Sequence, residues 1–339
     1  MCNTRSNFSS GPVPALLTAL LFLALNTQAN AQATSRSFAM GLYTDLSAPS
    51  VSSVDADILM FGEGQPQPPA PARTIMKLKS YTFPGGVTIA TEGYDWSRVV
   101  AVLIDEPYLA ALQAQFGGDQ KANPCRSGGT NGARMTSLST TAQQLSAAAQ
   151  AVKEVIPYAR FWVNFNADSE VAWMMDGPCA MPLNQPYIDV ISLDDYWKSF
   201  NPGVQSLYTW IAAHRSTPYQ QMAVVPGTFY RQGQDSEQTQ AGWLQGYFDY
   251  ANNQNVSCNL PLAPRGVTGI FDGCPVWMVL GFDSVTFVQD GSTYIGEQDA
   301  ATIRLIWRSQ VSLPVRTDLA HQRTRKQIVT SILMPQWVN

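Results

Sequence analysis

Two apolar runs in this chain each end in a pair of carboxylates. Val99-Val-Ala-Val-Leu-Ile104 leads directly into Asp105-Glu106-Pro107-Tyr108, and Ile191-Ser-Leu193 leads into Asp194-Asp195-Tyr196-Trp197. A carboxylate at the end of a buried segment loses hydration unless it is paired or lines a cleft. A cleft that gathers several carboxyl groups can keep one protonated and another ionised, which is what general acid/base catalysis requires. A structural reading stands beside it: Asp105 can cap the segment that follows, with Glu106 in solvent, and Asp194 can be a helix cap or an arginine partner. Two such endings in one chain favour the acidic cleft.

Other chemistries find less support. His214 and His321 are the only histidines, so neither a His-rich metal centre nor a His-dependent triad has much to draw on. No Gly-x-Ser-x-Gly elbow occurs. Clustered Asp residues could hold Ca²⁺, but no Asp-x-Asp-x-Asp-Gly loop is present. No metal or other cofactor is called for. The net charge of −4 speaks against a nucleic-acid partner, which needs a basic face.

The elements that must carry these residues read as short apolar strands alternating with helices. Strands are expected at Phe38–Tyr43, Ile58–Phe61, near Val87–Thr91, Val99–Ile104, Arg160–Phe165, Asp189–Leu193, Met222–Val225 and Val276–Phe282. Thr140-Thr-Ala-Gln143 resembles a capping box, followed at helical spacing by Leu145, Ala149, Val152 and Ile156. Asn201-Pro202 sets a cap before a first-turn proline, with Val204, Leu207, Tyr208 and Ile211 behind it. Leu244, Tyr247, Phe248 and Ala251 form a third stripe, and Ala300, Ile303 and Trp307 a fourth. His214 falls in the last turn of the second helix, where a cation suits the dipole. The Pro-rich stretch Gln65–Ala72 is a loop. Strand–helix alternation implies a parallel sheet, and eight strands imply an α/β fold closed as a (β/α)₈ TIM barrel, with an open doubly wound sheet as the alternative.

Period-two alternation then says which side chains face the interior. Ala39, Gly41, Tyr43 and Asp45 share one face of the first strand, Trp162, Asn164 and Asn166 one face of the fifth, Ser192, Asp194 and Tyr196 one face of the sixth, and Gly281 and Asp283 one face of the eighth. These faces begin small or polar and end in Asp, Asn or Tyr, as a polar barrel mouth would. By the same alternation Asp105 and Glu106 should diverge.

The N-terminus has the pattern of a signal peptide: Arg5, the apolar run Ala15–Leu25, and Ala31-Gln32-Ala33 as a small-x-small cleavage site. Residues 1–33 are therefore set apart as signal, 34–310 as barrel, and 311–339 as a C-terminal extension packing on or trailing from it. The mature chain is expected to be secreted or periplasmic, monomeric, and without stable membrane insertion. Cys125, Cys179, Cys258 and Cys274 remain after cleavage, an even number that suits two disulfides. Cys125–Cys179 and Cys258–Cys274 are favoured among the three possible pairings. His321–Lys326 reads as a solvated basic stretch, Asn255-Val256-Ser257 is formally a glycosylation acceptor, and Phe229-Tyr230-Arg231 could wall a substrate cleft.

The Asp105-Glu106-Pro107 ending resembles the Asn-Glu-Pro of the large retaining glycoside hydrolase clan, in which that Glu is the acid/base. Here Asp105 replaces the Asn, and Met222-Ala-Val-Val-Pro-Gly-Thr228 lacks the Glu nucleophile which that clan carries on strand seven. Asp105 and Glu106 together with Asp194 and Tyr196 also look like the acidic strand-four and strand-six pairing of chitinase-like and lysozyme-like barrels, without the repeated-Asp chitinase signature. The resemblance implies a divergent glycosidase-like barrel acting on a poly- or oligosaccharide. Glu106 would be the general acid and Asp194 the base or nucleophile, with Asp283 or Asp45 as substitutes and Asp105 close by. Tyr43, Asn164, Asn166, Asp195 and Tyr196 would contact the sugar, and Trp162 and Trp197 would stack on it, 9 Trp and 13 Tyr being a generous supply of flat rings. The rival is a barrel that binds carbohydrate without cleaving it.

Overall fold

The computed structural model describes residues 36–43, 56–78, 93–108, 132–166, 185–194, 202–217, 220–256, 262–263, 274–282, 285–313 and 315–316. Its strands run in chain order as β1 (Ala39–Tyr43), β2 (Ile58–Gly62), β3 (Arg73–Lys77), β4 (Val99–Asp105), β5 (Arg160–Asn166), β6 (Val190–Asp194), β7 (Gln221–Val224), β8 (Phe229–Arg231), β9 (Leu262–Ala263), β10 (Val276–Gly281), β11 (Phe287–Gln289), β12 (Ser292–Gly296) and β13 (Val315–Arg316). The helices are α1 (Gly132–Val155), α2 (Pro202–Ala213), α3 (Glu237–Gln254) and α4 (Ala301–Val311). Strands β1 to β7 and β10 close into a barrel in the order β1-β10-β7-β6-β5-β4-β3-β2, and every neighbouring pair is parallel. Closure settles the choice between barrel and open sheet.

The apolar side chains form two shells, as alternation along each strand dictates. Ala39, Ile58, Met60, Ile75, Ala101, Leu103, Trp162, Val190, Ala223, Met278 and Leu280 fill the interior. Met40, Leu59, Met76, Val102, Phe161, Val163, Ile191, Met222 and Val279 face outward against the helices. The stripe Leu244, Tyr247, Phe248 and Ala251 of α3 is buried, and Phe248 stacks on Phe38 and tilts against Trp307 of α4. Ser236 caps α3 by accepting from the Thr239 N–H at 3.1 Å. The second helix starts at Pro202, as its proline foretold.

Strand three is not near Val87–Thr91, which lies outside the described residues; the third barrel strand is Arg73–Lys77, directly after the Pro-rich stretch. Prolines cannot build a helix interior, so the β2–β3 connection is an irregular strap held by side chains. Gln67 donates to Thr74 Oγ1 at 3.0 Å and accepts from the Asp95 N–H at 2.8 Å, and Arg98 donates to the carbonyls of Pro68 and Ala72. The first long helix begins at Gly132, so Thr140 and Gln143 lie inside it and form no capping box. His214 falls one residue beyond α2, with Nδ1 2.8 Å from the Trp210 carbonyl and its ring stacked on Trp210.

The phase of the last barrel strand also differs from expectation. A register shift between Val276 and Met278 lets Met278 and Leu280 point inward, and Gly281 faces the helix layer. A Cβ on Gly281 would lie 2.6 Å from Thr228 Cγ2 and 2.8 Å from Trp307. Trp307 is fully buried and has little room to yield. Gly281→Ala should therefore destabilise the barrel by roughly 1–3 kcal/mol through overpacking. Urea unfolding is the check, and an unchanged midpoint would refute this placement.

The Asn255 sequon is closed to modification in the folded chain. Asn255 is fully buried; its amide donates to the carbonyls of Ser37 and Val276 and accepts from the Val276 N–H. Phe229–Arg231 forms β8, which pairs with β12 in a small antiparallel sheet with β11, and Phe229 packs edge-on against Phe287 and Tyr294. The hairpin between β11 and β12 turns at Asp290 and Gly291, both with positive φ. Strand β13, within the expected C-terminal extension, pairs antiparallel with β9. No helix among the described residues is long and apolar enough to cross a membrane.

Candidate active site

Four adjacent strands, β3 to β6, end in polar residues, and parallel pairing places those endings together at the C-terminal rim. The registers set Asp105 beside Asn164, and Asn166 beside Asp194. Interior alternation on β5 and β6 holds as expected: Trp162, Asn164 and Asn166 face the same space as Ser192 and Asp194. A hydrogen-bonded chain makes this explicit. Trp162 Nε1 donates to Ser192 Oγ at 2.7 Å, Ser192 Oγ donates to Asn164 Oδ1 at 2.5 Å, and Asn164 Nδ2 donates to Asp105 Oδ1 at 2.8 Å. The other carboxylate oxygen of Asp105 is 2.6 Å from Lys77 Nζ.

Asp105 and Glu106 do not diverge. Glu106 adopts φ +43°, a left-handed conformation that costs a residue with a Cβ roughly 1–2 kcal/mol. That twist breaks the alternation and turns the Glu106 carboxyl toward the same mouth. Its neighbours hold it there: the Glu106 N–H donates to the Asn164 carbonyl at 2.8 Å, and Asn166 Nδ2 donates to Glu106 Oε1 at 2.8 Å. The Asp194 carboxyl lies within hydrogen-bonding reach of that of Glu106.

The electrostatics favour the protonated form of Glu106. Burial pushes Glu106 above the ordinary glutamate range. The Asn166 bond works against that shift, the Asp105 charge adds to it, and Asp194 and Lys77 oppose it without cancelling it. Burial alone would lower the Lys77 pKa, but the attraction and hydrogen bond of Asp105 outweigh it and raise Lys77 above the usual lysine value. The ammonium also sits 5.5 Å from the centre of the Tyr43 ring and 5.2 Å from that of Phe282. Those two rings stack at 4.8 Å.

Of the residues expected at the site, Glu106, Asp194, Asp105, Asn164, Asn166 and Tyr43 are brought together at this rim. Trp162 is not a sugar platform: it has 0% exposure, lies one interior layer deeper and meets Trp277 edge-on. Asn164 is also buried, with both ends of its amide engaged, and acts as a brace beneath the mouth. Asp45, Asp195, Tyr196, Trp197 and Asp283 lie outside the described residues, as do Cys125, Cys179 and Cys258. Cys274 is buried at the start of β10, where its carbonyl accepts from Gln221 Nε2 at 2.6 Å. Among the described residues no group of three or more His, Cys, Asp or Glu side chains could hold a metal ion.

Lys77 and Phe282 were missed. Lys77 belongs to a strand hidden behind the proline run, and Phe282 was given the wrong phase by the irregularity in β10. A signal for Lys77 did exist: Arg73-Thr-Ile-Met-Lys77 is a short apolar segment ending in a charge, as β4 and β6 end in theirs.

No family model matches the sequence, and no curated protein matches it. Among solved structures, the chain is similar to virulence factor SghA from Agrobacterium tumefaciens at 11% identity over 77% of this chain and 83% of that one, with a TM-score of 0.46. It is similar to a GH2 beta-galacturonidase from Eisenbergiella tayi at 11% identity, over 83% of this chain and 52% of the other, with a TM-score of 0.44. A beta-glucosidase from Thermotoga maritima gives 8% identity, 76% and 84% coverage, and a TM-score of 0.41. These are distant likenesses and fix neither family, substrate nor chemistry for this chain.

Proposed function

We propose that this chain is an exported glycoside hydrolase whose general acid is Glu106. The observation that carries the reading is the gathering of Glu106, Asp105 and Asp194 at the C-terminal rim, the end of the fold where (β/α)₈ enzymes place their chemistry. A carboxyl group whose burial favours its protonated form is suited to protonating a glycosidic oxygen.

The same gathering changes the role expected for Asp194. In an acid/nucleophile or acid/base couple the carboxyl groups stand about 5–5.5 Å or about 6.5–9.5 Å apart, leaving room for the sugar or for sugar and water. Asp194 acts on Glu106 from hydrogen-bonding reach, nearer than either, and so serves to draw the elevated Glu106 pKa back down. Asp105, clamped as an anion by Lys77 and Asn164, supplies negative field for the positive charge that develops on the sugar. The stacked Tyr43 and Phe282 rings offer a flat apolar wall suited to a sugar face.

The test is a screen of neutral poly- and oligosaccharides against the purified mature protein, reading release of reducing ends as a function of pH. The protonated form of Glu106 is the active one, so kcat should fall on the alkaline side as pH rises through its elevated pKa. Sugar binding with no reducing ends released at any pH would replace this reading with the non-catalytic carbohydrate-binding barrel.

A further inference from the structure

We propose that Lys77 is a positioning residue for Glu106: by clamping Asp105 at the end of β4, it holds the left-handed turn that presents the Glu106 carboxyl at the rim. The inference rests on the reading of Glu106 as the proton donor.

The geometry makes the case. The Lys77 ammonium reaches Asp105 at 2.6 Å, and both side chains are about four-fifths buried, with 22% and 21% exposure. Two aromatic faces, Tyr43 and Phe282, hold the same ammonium from the β1 side of the mouth, so a charge on β3 has a prepared cradle on three elements. Asn164 takes the other oxygen of Asp105. With both oxygens engaged, Asp105 is fixed, and the next residue along the backbone is Glu106 in its left-handed turn. Movement of Asp105 would move the Glu106 carboxyl off Asn166.

Charge follows the same path. The groups facing Glu106 are Asp105 on β4, Asp194 on β6 and Lys77 on β3, with Asn166 on β5 as a neutral donor. Tyr43 and Asp194 also act on Lys77. Without Lys77 the largely buried Asp105 carboxyl would face Glu106 with no ammonium against it, and the loss of that positive charge favours the protonated form of Glu106.

The experiment is a pH titration followed by the side-chain carboxyl carbons of protein ¹³C-labelled at Glu and Asp, with Glu106→Gln to assign the signal. In Lys77→Met the Glu106 midpoint is expected to move to higher pH, and in Lys77→Arg to return toward the wild-type value. Lys77→Gln, which keeps a donor for Asp105 but no charge, should shift it the same way and serves if the Met variant does not fold. A midpoint unmoved in the uncharged variants, whatever their stability, overturns the proposal. On any glycan the wild type cleaves, Lys77→Met should lower kcat on the order of 100-fold with KM little changed, as displacement of a reacting group does. A shifted titration in a protein that cleaves no glycan leaves Lys77's role standing and removes the hydrolase reading. Cleavage combined with an unmoved midpoint does the reverse.

Discussion

Glu106→Gln is expected to lower kcat by about 10²- to 10⁴-fold, the range over which positioned general acids contribute, while the protein stays folded. The amide has the shape of the carboxyl it replaces. Its oxygen can still accept from Asn166, and its NH₂ can donate toward Asp194. What it cannot do is release a proton to a leaving group. Stability should move the opposite way from activity. Glu106 has a folded-state pKa above its unfolded value, so the favourable contribution of its protonated form is complete below the unfolded pKa and is lost as pH rises through the folded one. Glutamine is spared that loss. The variant should therefore unfold at a higher temperature than wild type at pH 7, and the gap should close as pH falls below about 4.5, the ordinary value for Glu. A dead enzyme that melts higher is the signature of a group buried for chemistry. Undiminished turnover in Glu106→Gln would remove Glu106 from the mechanism.

The interior face of β1, β5 and β6 was legible because small and polar residues alternate there with apolar ones, and burial on both sides of the sheet permits only one phase. Ala39, Gly41 and Tyr43, Asn164 and Asn166, and Ser192 and Asp194 stand where alternation puts them. What sequence pattern could not give is any place where the backbone leaves its period. Glu106 is the clearest case. A left-handed residue directly before Pro107 follows from no local preference, and it is stabilised by Asn164, Asn166 and Asp194, which are 58 or more positions away in the chain. The register shift in β10 misled in the same way, and it turned Gly281 outward and Phe282 into the mouth. Strand β3 was lost for a different reason. Strand–helix alternation implies a helix between parallel strands, and the Gln65–Ala72 strap joins β2 to β3 without one. With β3 went Lys77, the cation around which the acidic rim is arranged. The two carboxylate endings were thus visible from residue types alone, while the groups that decide their protonation were set by long-range contacts.

Asn164 is where a substitution should hurt stability most among these residues. It is buried, it accepts from Ser192, which is itself the acceptor for Trp162, and it donates to Asp105. Asn164→Ala strands a hydroxyl and one oxygen of a half-buried carboxylate in a space too enclosed for easy rehydration. Each stranded group costs about 1–3 kcal/mol, so the loss should be about 2–6 kcal/mol, read as a fall in the urea midpoint. Asn164→Asp separates the packing effect from the hydrogen bond. The shape is kept, but an oxygen now meets Asp105 Oδ1 at the position where Nδ2 stood, 2.8 Å away. Two carboxylates that close cannot both ionise, so the new group must hold a proton and its folded pKa lies above the unfolded value of about 3.9. Its stability relative to wild type is therefore greatest below that value and declines as pH rises through the folded pKa. Unfolding at pH 5 and pH 8 should show the Asn164→Asp deficit widening with pH while the Asn164→Ala deficit stays constant. A deficit for Asn164→Asp that is flat with pH would mean that the amide does not face Asp105, and the brace joining the buried Trp162 layer to the acidic rim would have to be abandoned.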